Sequence, residues 1–385
     1  MGDRIRGWAH FLTLLTLISV GTTGCTEDPS NRAAIEVDAP TALADQAVHL
    51  RITGLTPGEE VTVNSQTVDG QGKQWHGQAT FRADAHGLIA LDTARPNAGT
   101  YQSPDGMGLF WSMTPQTGDP EGTSFFPPAS PQHTYDVTLT AAAHGHQLAS
   151  RTLTREWFGA GVTSRKLTLA AHKVSGELFL PAPGTPRHPA VLVFGGSEGG
   201  NSQAPVAALL ASHGYPALAL GYFGLPGLPD ALENIPLEYF TTAARLLAAQ
   251  PGVDPNHVLA MGYSRGSEAA LLLADDYPDL IHGAVVYSPS AQVNGGFPNY
   301  GTTAWTKDGK PIAQGLDAAG NHYPHQALVF PNAGHGVGTY PYLAAGTRAV
   351  HPVTGREIDL GGSRAGNAAA QEAGWPKVLT LLASL

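Results

Sequence analysis

The second half of the chain carries continuous apolar runs at regular intervals, separated by stretches of helical spacing. These runs are PAVLVFGG (189–196), YPALALGYFG (215–224), HVLAMGYS (257–264) and IHGAVVYSP (281–289). A strand that is apolar at every position is buried on both faces. Strands alternating with helices therefore predict a mostly parallel sheet with helices on both sides, an α/β fold. Helices are expected at 202–213, 237–250 and 265–275. A final helix is expected at 364–385, with a kink at Pro376. An opening strand pair is expected at 165–181, and QALVFPNAGHG (326–336) should restore one last strand. Residues 291–325 are rich in Gly, Asn and Thr and contain no strand-like run.

The first half has a different rhythm. From 33 to 157, runs such as AVHLRITGL, EVTVNSQTVD and YDVTLTAAA alternate apolar with polar residues and are separated by turn residues. That period of two predicts an antiparallel β-sandwich of roughly seven strands ahead of the α/β domain, which is assigned to 165–385. No internal repeat is evident.

The N-terminus has its own signature. Arg4 and Arg6 precede an apolar run from Trp8 to Val20, and small residues lead to Cys25, the only cysteine. The run is too short to span a bilayer comfortably, and the pattern is that of a secretory signal peptide, residues 1–24. Gly24-Cys25 resembles a bacterial lipobox. That resemblance implies lipidation of Cys25, a polar tether at 25–32, and a membrane-anchored lipoprotein outside the cytoplasm. Plain secretion with a free thiol is the alternative. The chain's net charge is −10 and no stretch concentrates Lys and Arg. A nucleic-acid partner is therefore not expected, because phosphate binding needs a cationic surface.

Three short motifs carry the chemistry. GYSRG (262–266) fits G-x-S-x-G, with a strand before it and a helix after it. In that setting the glycines let the chain turn tightly enough to expose the Ser264 hydroxyl. The Arg265 amide then lies at a helix N-terminus, where it can stabilise an oxyanion. GGSEGG (195–200) follows the first buried strand, where Ser197 or its neighbour Glu198 is expected to supply the second oxyanion N–H. A phosphate-cradling loop is the competing reading, but no lysine stands at the P-loop position, and no cofactor is implied. His335, in NAGHG, follows the last expected strand and has the right chemistry to take a proton from serine near neutral pH. The other histidines are expected mostly at the surface. His144 and His146 flank a turn, which is too little for a metal site, and none is expected.

The acid that would orient His335 should lie between Ser264 and His335 at the end of a further strand. Asp308 and Asp317 are the only loop candidates, neither follows a strand, and Glu198 is a remote third. An ordinary Gly-rich turn at 262–266, with no catalysis, is the plain alternative to the whole reading.

Longer segments resemble the acyl-CoA thioesterase and bile acid-CoA:amino acid N-acyltransferase family. In the first half these are LRITGLTPGEEVTV (50–63), FRADAHGLIALD (81–92) and GTYQSPDGMGLFWSM (99–113). In the second they are VFGGSEGG, LEYF (237–240), GYSRGSEAALLLA, AWTKDGKPI (304–312) and PNAGHGVG (331–338). The resemblance implies an α/β-hydrolase domain behind a β-sandwich, with Ser264 as nucleophile and His335 as base, acting on an acyl thioester or ester. It also implies hydrolysis, since thioesterase members use serine where amino-acid-conjugating members use cysteine. Between AWTKDGKPI and the last expected strand, relatives carry another strand ending in an acidic motif. Here PIAQG runs almost directly into LDAAGNHYPHQALVF, so a degenerate, non-catalytic lipoprotein is the competing function. Acyl transfer to an amine is the third.

Overall fold

The computed structural model describes residues 33–128, 132–290, 292–315, 324–338 and 340–385. The expected signal peptide, the tether with Cys25, and Asp317 lie outside these residues.

The α/β half is organised by the buried runs. Strands β1 (Thr163–Leu167), β2 (Ser175–Leu180), β3 (His188–Phe194), β4 (Ala217–Gly221), β5 (Val253–Tyr263) and β6 (Ala284–Tyr287) form one sheet in the order β1-β2-β4-β3-β5-β6. β1 and β2 are antiparallel to their neighbours, whereas β4, β3, β5 and β6 run parallel. Helices α1 (Ala204–Ser212), α2 (Leu237–Ala248), α3 (Arg265–Asp276) and α4 (Arg364–Ala383) cover it.

Side chains alternate across a strand, and the continuous runs divide accordingly. Val191, Val193, Ala219 and Met261 join α1, α4 and the sandwich in one core, while Ala190, Leu192, Phe194 and Ala260 pack against α2 and α3 in another. This is the α/β-hydrolase sheet order with helices on both faces.

In the first half, a three-stranded sheet (Ala34–Val37, Leu50–Thr53, Ile89–Ala90) accompanies a seven-stranded one built on Glu60–Val68, Gln74–Arg82, Thr134–Ala143 and His146–Glu156. The long strands pair antiparallel, as expected. Two details depart from the alternating pattern. Thr41–Leu43 pairs parallel with His146–Glu156, and Gly108–Trp111 makes one helical turn.

The two halves share a core and a buried polar link. Asp45 Oδ2 accepts from Trp375 Nε1 at 2.6 Å and lies 2.6 Å from His213 Nε2. Arg364 also donates to the Met113 carbonyl.

Several local expectations fail. Residues 326–330 form no strand, and Leu328 and Val329 are 45% and 82% exposed. A strand needs a ladder partner as well as a favourable sequence. Among the described residues, β6 pairs only with β5, so the sheet ends there. The 291–325 region does hold strand, because Trp305–Lys307 pairs with Ile235–Pro236 and Lys310–Pro311. A hairpin at Arg348–Val350 and Glu357–Asp359 was not foreseen. α4 continues on both sides of Pro376, as the sequence predicts.

Candidate active site

Ser264 sits at the junction of β5 and α3 with φ 52° and ψ −120°. Such a conformation costs a non-glycine residue about 1–3 kcal/mol and persists only when its surroundings over-determine it. They do so here. The Ser264 amide donates to the Tyr287 carbonyl at 3.0 Å, and its own carbonyl accepts from the Ser267 amide at 2.9 Å and hydroxyl at 2.5 Å. The flanking glycines are required by close approach. A β-carbon on Gly262 would lie 2.3 Å from the Gly266 carbonyl oxygen, and one on Gly266 would lie 2.2 Å from that of Gly195.

Below the turn, the fully buried Glu268 accepts from Arg265 Nε (2.7 Å), Trp305 Nε1 (2.9 Å) and Asn294 Nδ2 (2.8 Å). This ties the first turn of α3 to the 294–305 segment. A buried carboxylate satisfied on several sides is a rigid anchor.

His335 Nε2 stands 2.9 Å from Ser264 Oγ, so the expected nucleophile and base meet across 71 positions of sequence. No strand delivers the histidine. Its amide donates to the Leu360 carbonyl at 2.6 Å, while its carbonyl accepts from Tyr263 Oη at 2.5 Å and Ser288 Oγ at 3.1 Å. Side chains of α4 hold the loop on either side: Asn367 Oδ1 accepts from the Gly334 amide at 2.7 Å, and Gln371 Nε2 donates to the Gly336 carbonyl at 2.8 Å. Burial pushes the His335 pKa below its ordinary value, and the negative charge of Glu198 opposes that shift. The ring is therefore neutral near pH 7, as a base must be.

The two segments expected to supply oxyanion donors lie on either side of Ser264 in sequence, at 195–200 and 265–266. Among the described residues neither the Ser197 nor the Arg265 amide has a hydrogen-bond partner. The Gly196 amide is occupied by the Glu198 carboxylate, at 3.0 and 2.9 Å, which also accepts from Ser202 Oγ at 2.6 Å. That leaves both expected candidates, Ser197 and Glu198, rather than Gly196, with an N–H that has no partner among the described residues.

The acid is where sequence and structure part. Among the described residues, no carboxylate hydrogen-bonds the His335 ring. Asp308 is exposed at the tip of the 305–311 hairpin with φ 51°, and its amide is held by Glu238 Oε1 at 2.8 Å. Glu198 acts on His335 only through space. His144 occupies a left-handed turn position with φ 51°, and no group of three or more His, Cys, Asp or Glu side chains suited to a metal occurs among the described residues. The expectation of surface histidines fails at His351, which is buried with its Nε2 3.0 Å from Ser197 Oγ. No motif announces His351, Asn367 or Gln371, because each acts through a partner distant in sequence.

A parallel sheet with a serine on its nucleophile turn and a histidine within reach places the chain in the α/β-hydrolase class. Family comparison narrows the class. The family described as acyl-CoA thioester hydrolase/BAAT N-terminal region matches residues 45–169, and its partner, BAAT/acyl-CoA thioester hydrolase C terminal, matches 235–307 and 303–384. The chain belongs to this acyl-CoA thioesterase/BAAT family. The C-terminal match comes in two pieces that overlap at 303–307, whereas the shortening relative to the family was expected after AWTKDGKPI (304–312).

Mouse acyl-coenzyme A thioesterase 6 is 30% identical over 63% of this chain and 57% of its own length. Human bile acid-CoA:amino acid N-acyltransferase is 34% identical over 60% of this chain and 56% of its own. In both, the chain spans little more than half of the relative. Mouse mitochondrial acyl-coenzyme A thioesterase 2 is 25% identical over 97% of this chain and 94% of its own.

Proposed function

We propose that this protein is a serine hydrolase of acyl thioesters or carboxylic esters, working through an acyl-enzyme on Ser264. The observation that carries the reading is the 2.9 Å contact between His335 Nε2 and a Ser264 hydroxyl held on a strained elbow. Ser264 Oγ attacks the acyl carbon as its proton passes to His335 Nε2. The oxygen that becomes negative faces the Ser197 and Arg265 amides. Collapse expels the thiolate or alkoxide, which takes the proton back from His335, and water then releases the acid by the same steps. Thioesterases and amino-acid N-acyltransferases among the relatives support acyl chemistry, and the serine at 264, which the family resemblance associates with thioesterase members, favours water as the acceptor.

A fluorophosphonate probe should label Ser264, and p-nitrophenyl butyrate should be hydrolysed by the wild type but not by Ser264→Ala. Absence of both would sink the reading. Release of an N-acyl product on adding glycine would turn it toward transfer.

The second reading, a binding protein with a retired site, draws on the absence of a carboxylate at His335 among the described residues. Under that reading labelling fails although the fold is intact. Lipidation at Cys25, with attachment to a membrane outside the cytoplasm, belongs to the same proposal, and intact-mass measurement of the membrane fraction tests it. No helix among the described residues is long and apolar enough to cross a membrane.

A further inference from the structure

A second serine–histidine pair stands beside the first. Ser197 Oγ lies 3.0 Å from His351 Nε2. Ser197 directly follows Gly196, where an added β-carbon would come within 2.8 Å of the Ser264 β-carbon. The two pairs look alike, but their hydrogens run in opposite directions. The Val353 amide, which can only donate, points at His351 Nδ1 from 3.2 Å. Nδ1 therefore presents its lone pair, and in the neutral ring the hydrogen sits on Nε2. Ser197 Oγ accepts that hydrogen. A histidine with N–H rather than a lone pair toward a hydroxyl cannot deprotonate it, so Ser197 is not a second nucleophile. Its own hydrogen is left to donate elsewhere.

The arrangement is held firmly. His351 is buried, its backbone N–H donates to the Arg356 carbonyl and its carbonyl accepts from the Gly355 amide, both at 2.8 Å. The Phe297 ring packs 4.7 Å from the imidazole. Burial lowers the His351 pKa and outweighs the opposing charge of Glu198, which keeps the ring neutral near pH 7.

We infer that the Ser197 hydroxyl, oriented by His351, is a third donor to the oxyanion that forms at Ser264, with His351 as its positioning residue. The inference rests on the serine-hydrolase reading above. An N–H behind the hydroxyl polarises it, so the chain His351 N–H to Ser197 O–H to oxyanion strengthens as negative charge develops. A donor of this kind acts on the transition state more than on the neutral ester. Its loss lowers kcat and leaves KM nearly unchanged.

The test compares Ser197→Ala, His351→Leu and His351→Gln on the full chain, with p-nitrophenyl butyrate kinetics and thermal melting of each variant. Ser197→Ala should lower kcat by about 10- to 100-fold with KM within about twofold, the lower end of what one oxyanion donor supplies. His351→Leu should show the same split. His351→Gln, which keeps an N–H at the required reach, should recover most of that loss. A Ser197→Ala enzyme with kcat within twofold of wild type overturns the inference. So does a His351→Gln enzyme no better than His351→Leu when both melt with the wild type. A wild type that neither labels with fluorophosphonate nor hydrolyses the ester overturns the hydrolase reading instead, and takes this inference with it.

Discussion

The nucleophile and the base of this site are held by opposite means. Ser264 is placed by backbone: β5 is paired on both sides, α3 follows without a gap, and the glycines at 262 and 266 admit carbonyls that no β-carbon would tolerate. His335 is placed mostly by side chains: besides one backbone bond to Leu360, Asn367, Gln371, Tyr263 and Ser288 grip a loop that has no ladder behind it. A backbone-built position is written into a contiguous motif and survives in a short sequence. A side-chain-built position depends on residues far apart in the chain, and its supports, here Asn367 and Gln371, stay unannounced until they meet it. The contrast explains how the base keeps its place although 326–330 makes no strand.

The comparison can be broken most forcefully at the elbow. Gly266→Ala should cost about 3 kcal/mol or more, because its β-carbon meets a backbone carbonyl that cannot yield. Loss of soluble protein or a large fall in the denaturation midpoint would show this, and near-normal stability would mean that the turn is not over-determined.

Asn367→Ala comes next. It strips the Gly334 amide of its partner inside the protein, at a cost of about 1–3 kcal/mol, and it should lower kcat because the base is no longer fixed. Urea unfolding and ester kinetics on the same variant separate the two effects. An unchanged kcat would mean that His335 is held without α4.

Glu198→Gln is a smaller change. His335 serves as a base only when neutral, so kcat/KM falls as pH drops through its pKa. The carboxylate raises that pKa against the larger effect of burial, so removing its charge lowers the pKa further. The acid limb of the pH profile should therefore move to lower pH. A limb that stays put or moves up would show that the Glu198 charge does not reach the ring.

Val329→Lys should be nearly silent, within about 0.5 kcal/mol, because the side chain is 82% exposed. A large loss would place 326–330 in the packed structure and dissolve the contrast.

Much of the frame was legible. The runs ending at Phe194, Leu220, Met261 and Val286 became β3 to β6 because a strand apolar at every position has no stable place except between two helical layers. The period-two half became the sandwich, and the GYSRG motif became the elbow. Where the reading failed, the reason was local preference without a neighbour. QALVF has the composition of a strand, yet a strand is completed by the hydrogen bonds of the next one, and among the described residues none pairs with it. Asp308 carried the right charge in the right interval, but its hairpin pairs with 235–236 and is turned to solvent.

By itself, then, the sequence determined the sheet, the sandwich and the tight turn that carries Ser264, because each follows from the spacing of neighbouring residues along one stretch of chain. The NAGHG motif also pointed to His335, but only the tertiary structure showed that it reaches Ser264 without a strand behind it and that His351 faces Ser197. His335 meets Ser264 across 71 positions and His351 meets Ser197 across 154, and at His351 the direction of the hydrogen is set by the Val353 amide at the other ring nitrogen. Contacts of that length are set by packing of the whole chain, and no local pattern encodes them.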